Sequence, residues 1–228
     1  MKKEELHITL LTLQKELIEK EEKHYLTYCK EEHLTSFIAN LHGYYSDANF
    51  LNTLTLPYFE EEIQRDRKAA YEQFLFLFEI NEVDELNQRF QHTDITDFLL
   101  VLGQRLTSAT DNTINALPPL NDDVFKASFE QYNLHVTKAV RAFEKHSERT
   151  TNNFWGSVEG NPKQKEEKVK ELILHLLHHK TWWNVFYHFK HELIYEVRIA
   201  SGHGARWKKS NLEFIGFVEP FLNSENEK

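Results

Sequence analysis

Turn-forming residues are scarce: the chain has seven glycines and five prolines in 228 residues, about 5% where roughly 12% is usual. That scarcity excludes an all-β fold built on many tight turns and makes long helices the expected elements. Cysteine is nearly absent. Cys29 stands alone, so no internal disulfide can form, which suits a reducing compartment. No run of 18 apolar residues occurs, so no transmembrane helix is expected. The apolar stretch Leu6–Leu13 runs directly into Gln14, Lys15 and Glu16, unlike a signal peptide. These absences together predict a cytoplasmic protein with no membrane association. Positive charge is short as well: 27 Lys and Arg against 36 Asp and Glu leave a net −9. Nucleic acid is therefore an unlikely partner by this reading, because phosphate neutralisation needs a basic surface.

Aromatic surface is plentiful. Seventeen Phe, nine Tyr and four Trp can bury enough area to offset chain entropy, which predicts one folded domain over residues 1–228. Leu6, Leu10, Leu13 and Leu17 recur on one helical face and predict a first helix from about Glu4 to Tyr28. Further helices are expected over Glu31–Tyr45, over Tyr58–Phe78 behind Pro57, over Val83–Phe90, and over Asp94–Leu106 with Thr93 or Asp94 as cap. After the break at Pro118–Asn121, Phe125, Phe129, Tyr132, Val136, Ala139 and Phe143 form the most regular helical stripe in the chain, read as core. A helix from Lys163 and a second one after Lys180-Thr181, with Trp182, Phe186, Phe189 and Leu193 as its stripe, complete the helical set.

Near Leu193 the period becomes two. Tyr195, Val197 and Ile199 alternate with Glu196 and Arg198, and Leu212–Val218 is a second strand candidate. The expected fold is thus mainly α. A multi-helix, bundle-like body covers about 4–192, a small C-terminal β-hairpin or two-stranded element about 193–220, and a frayed tail 221–228.

Thirteen histidines are two to three times the usual share. His175/His179 and His188/His191 have the spacing at which two imidazoles share a helix face and can ligate one ion, so a divalent metal is the candidate cofactor there. The segment Ser201–Lys209 is the other signal. Gly202 and Gly204 flank His203 after a strand, which permits close backbone approach to an anion. Arg206 can grip a phosphate or carboxylate bidentately, Trp207 offers a stacking face, and Lys208 adds charge. His203 and Arg206 are the candidate catalytic residues, with Gly202, Gly204, Trp207 and Lys208 as ligand contacts. The segment lies in the basic window Lys190–Lys209, which carries five cations against Glu192 and Glu196. Cys29 with His24 and His33, the pair Asp94 and Asp97, and the run Glu60-Glu61-Glu62 read as structural or solvated groups.

No catalytic constellation stands out, so the leading expectation is a non-enzymatic protein that binds a protein partner. The alternatives are an enzyme or binding protein for a small anionic or phosphorylated ligand at residues 201–209, and a metal-binding helical protein.

Overall fold

The computed structural model describes residues 3–80, 82–147, 154–156, 159–189 and 192–221. The chain forms two compact units: the first comprises Met1–Leu54, Ile63–Leu106 and Asp111–Leu117, the second Thr55–Glu62, Thr107–Thr110 and Pro118–Lys228.

The first unit is helical: α1 (Lys3–Glu19), α2 (Glu31–Ser46), α3 (Phe50–Thr53), α4 (Arg67–Glu72), α5 (Val83–Phe90) and α6 (Ile95–Val101). The α1 stripe of Leu6, Leu10, Leu13 and Leu17 is buried as its spacing predicts. The helix stops nine residues short of the expected end, because Glu21 takes φ 54°. Glu22 N–H then bonds to Leu17 O and Glu21 N–H to Ile18 O, closing the helix without a glycine. Phe37 stacks on Phe98 at 4.6 Å and meets Phe74 edge-on at 5.0 Å, centring an aromatic core. The helix expected over Tyr58–Phe78 is reduced to α4 and a 3-10 turn at Leu75–Phe78, since Thr55–Glu62 belongs to the second unit.

The second unit contains α7 (Asn121–Ser128), α8 (Lys138–Ser147) and α9 (Pro162–His178), followed by four strands: β1 (Lys180–Tyr187), β2 (Leu193–Ile199), β3 (Gly204–Lys208) and β4 (Phe214–Val218). These pair in the order β1-β2-β3-β4, antiparallel throughout. The mainly α expectation with a two-stranded appendage is therefore corrected to a mixed α/β fold with a four-stranded sheet. Two strands escape a reading of the sequence. In β1 Trp182, Trp183, Asn184 and Val185 are all buried, so no period-two pattern shows, and a short apolar run does not distinguish strand from helix. The β3 strand is hidden by Gly202, Gly204 and two lysines, which look like a loop.

The long stripe from Phe125 to Phe143 is also two helices, not one. Asn133 accepts hydrogen bonds from the N–H groups of His135 (2.9 Å) and Val136 (3.0 Å), folding the chain back between α7 and α8. Phe129 and Val136 are consequently only half-buried, and the core reading of those two residues is corrected. By contrast, α9 starts within one residue of the expected Lys163. Asn161 and Gln164 cap it reciprocally, with Pro162 at the first helical position.

Side chains alternate across the sheet. One face, with Trp183, Val185, Tyr195, Val197, Ala205, Trp207 and Phe217, is buried. It packs against α9 and α8, where Phe143 meets Phe217 edge-on. The opposite face carries Asn184, Glu196, Arg198 and Arg206.

Candidate active site on the polar face of the sheet

Register places three polar residues in one row: Asn184 pairs with Glu196, and Glu196 with Arg206. Arg198 stands two residues along β2 on the same side. Glu196 is 1% exposed and Arg198 2%. One Glu196 carboxylate oxygen accepts from Arg198 Nε at 2.5 Å, and the other accepts from Arg206 Nε. Arg198 also donates to the carbonyls of Gly202 (2.6 Å) and Glu219 (2.7 Å), and its guanidinium lies over the Phe221 ring at 4.0 Å. Burial holds the Arg198 pKa below its usual value, against the opposing pull of Glu196. Two cations thus share one carboxylate, leaving a net positive charge. Arg206 is the member that reaches solvent, with 29% of its side chain exposed.

The row opens into a cleft of about 300 Å³. Arg206, Glu196, Phe186, Ser108, His188 and Glu61 are among the residues that line it. The segment Thr107–Thr110 extends the sheet beyond β1. Tyr187 N–H donates to Ala109 O at 2.9 Å, and Thr110 and Asn184 exchange side-chain hydrogen bonds at 2.9 and 3.2 Å. Trp182 lines the same cleft, and its buried indole N–H has no acceptor among the described residues. A phosphate oxygen fits this chemistry, since Arg206 supplies a charged fork beside aromatic surface and neutral donors.

Glu61, Trp182, Phe186 and Phe189, named above as solvated or stripe residues, line the cleft. Of the candidate catalytic, ligand and metal residues, it brings together Arg206 and His188. The others lie elsewhere. Trp207 is fully buried on the helix-covered face, its indole N–H donating to Ser128 Oγ at 2.9 Å. Gly204 is a close-packing glycine, because a Cβ there would come within 2.0 Å of Val197 O; at Gly202, with φ +88°, it would approach the Pro220 side chain at 2.8 Å. Lys208 pairs with Glu213 and Glu192. His175 and His179 are exposed at the end of α9 with rings 4.4 Å apart. His188 follows the far end of β1, roughly 25 Å along an eight-residue strand, and His191 lies outside the described residues. Among the described residues no group of three or more His, Cys, Asp or Glu is arranged to hold a metal. Sequence reasoning missed Asn184, Glu196, Ser108 and Thr110. The available signal was Glu196-x-Arg198: two charges inside a strand that is otherwise apolar on both faces.

His203 belongs to a separate cluster. Its Nε2 is 3.4 Å from Glu219, its Nδ1 2.9 Å from Ser201 Oγ, and Phe154 stacks on its ring at 3.7 Å. Glu219 also accepts from Trp155 Nε1 (2.7 Å) and contacts His146 Nε2 (2.8 Å). Burial pushes the His203 pKa below 6.5, Arg198 and His146 add to that, and Glu219 opposes it. The unfolded chain, with its histidine at about 6.5, then binds the proton first, so His203 contributes stability that is present above pH 6.5 and lost below it. The urea midpoint is expected to drop as pH falls from 7.5 to 5, and His203→Gln to flatten that dependence. An unchanged slope in the variant would refute it.

Residues 125–219 match the family described as the CdiA C-terminal tRNase toxin domain. The comparisons with curated proteins and with solved structures return no match. The matched segment runs from within α7 through the last strand and so contains α8, α9, strands β1–β4 and the Glu196–Arg206 row, but not Thr107–Thr110. Similarity to a nuclease toxin overturns two expectations from the sequence: that of a non-enzymatic, partner-binding helical protein, and that of nucleic acid as an unlikely partner. Net charge does not exclude such a partner, because a chain at −9 can still collect cations in one region. Among the described residues no helix is long and apolar enough to cross a membrane.

Proposed function

We propose that this chain is a toxin that cleaves tRNA at the cleft on the polar face of its sheet. The observation that carries this reading is the family match over residues 125–219, which spans the helix-backed sheet and its buried Glu196–Arg206 row. Arg206 binds the scissile phosphate and stabilises the charge that develops on its oxygens. Glu196 positions Arg206 and is itself held by Arg198. His188, which lines the cleft, accepts the proton of the attacking hydroxyl, the bond to phosphorus forms, and the leaving 5′ oxygen departs with a proton from water. A protein partner stays in this reading as the neutraliser that a toxic nuclease requires in the cell that makes it, and the cytoplasm, where tRNA resides, is its place of action.

The test is direct. The full chain incubated with deacylated tRNA is expected to give discrete fragments on a denaturing gel. Their ends then identify the nucleophile: a 2′,3′-cyclic phosphate marks attack by the ribose hydroxyl, and an open phosphate marks attack by water. Parallel reactions with EDTA and with magnesium report whether a divalent ion takes part. A tRNA pool left intact under every condition overturns the reading.

A further inference from the structure

On α8, Lys138, Arg141 and Lys145 fall at i, i+3 and i+7, one face of the helix. With Tyr132 and Gly216 they line a groove of about 360 Å³ between α8 and the edge strand β4. The anions beside them are already engaged: Glu130 holds Lys138 at 2.8 Å, Glu213 holds Lys208 at 3.0 Å, and Glu144 holds Lys165 at 2.9 Å. Arg141 lies 6.0 Å from the exposed Tyr132 ring, and Lys145 is exposed with no ion pair among the described residues. A chain of net −9 therefore presents a locally positive groove with an aromatic plane at its side.

We propose that this groove holds the backbone of the RNA substrate and carries the strand across β4 to Arg206. From Lys138 to Lys145 the helix rises about 10 Å at 1.5 Å per residue, enough for Arg141 and Lys145 to meet neighbouring phosphates of one strand. Tyr132 adds a face on which a base stacks. The connection to the cleft is Gly216. It lines the groove and is the register partner of Arg206 across β3 and β4. A Cβ added at Gly216 would meet nothing within 4 Å, so the space directly over this residue is open. The identity of the strand rests on the tRNA-cleaving reading, while the groove itself rests on charge and shape.

The probe that separates the two is a fluorescein-labelled 2′-O-methyl oligoribonucleotide, which lacks the hydroxyl needed for self-attack. Its binding to the full chain is followed by anisotropy over a series of salt concentrations. The double variant Arg141→Ala/Lys145→Ala is expected to bind more weakly, with the slope of log K against log salt smaller by about 1.4, or about 0.7 for each phosphate no longer neutralised. Lys145→Ala alone, at an exposed position, should lower it by about 0.7. Lys126→Ala on α7, outside the groove, should leave it unchanged. Equal affinity and slope in wild type and double variant would overturn the proposal, as would no binding by the wild type. An oligoglutamate of matched charge that displaces the RNA at equal concentration would also overturn it, assigning the groove to an acidic protein. If the probe binds as expected while tRNA remains uncut, the groove stands and the nuclease reading fails.

Discussion

Glu196→Ala is expected to destabilise the protein by about 3–5 kcal/mol, the usual cost of removing one partner from a buried ion pair. The change leaves Arg198, 2% exposed, with only the carbonyls of Gly202 and Glu219 as hydrogen-bond partners for its charge. Arg206, part-exposed, can turn to water and contributes less to the loss. Urea denaturation at pH 7.5 measures the effect as a lower midpoint with an unchanged slope. The double change Glu196→Ala/Arg198→Met should regain part of the stability, because an apolar residue of similar volume carries no charge to strand. A loss under about 1 kcal/mol in the single variant would mean that water reaches the pair and that Glu196 does not fix the site.

Arg206→Ala is expected to lower the rate of tRNA cleavage by about 10²–10³, the typical effect of removing one group that stabilises charge in the transition state. The melting temperature should barely move, since Glu196 keeps its bond to Arg198. Arg206→Lys should recover only part of the rate, because an ammonium is a point charge and lacks the planar fork that meets two phosphate oxygens at once. Single-turnover cleavage with saturating enzyme reads this cleanly. Full activity in Arg206→Lys would leave general electrostatics, not bidentate geometry, as the contribution of this residue.

Arg206 was legible in the sequence and its partner was not, and the reason lies in the physics of the sheet. An arginine near glycine and tryptophan in the basic window of an acidic chain is visible in one dimension. Its bond to Glu196 depends on strand register, which brings together residues ten apart and is not visible until β3 is recognised as a strand. The leucine stripe of α1, the extent of α2 and the start of α9 to within one residue were readable, because helical spacing acts over four residues. The failures occurred where tertiary context overrides local pattern. Trp182 and Phe186 have helical spacing yet sit in β1, since both faces of that strand are buried. Phe129 and Val136 continue a perfect stripe, yet Asn133 turns the chain between them. Trp207, read as a stacking surface, is core. For the histidines, spacing alone suggested a metal pair, but β1 places His188 far from His175 and His179.

The second unit takes Thr55–Glu62 and Thr107–Thr110 from early in the chain and everything else from Pro118 onwards, and this discontinuity sets an order of events on the ribosome. At about 5–20 residues per second, Thr110 emerges roughly 4–15 s before Tyr187, which completes the strand it extends. Glu61 waits longer still for Arg206, which lines the same cleft. Arg206 is thus translated after α7, α8 and α9, the helices of the same unit. The cleft is therefore assembled only once β3 has been made, long after its first lining residues have left the ribosome.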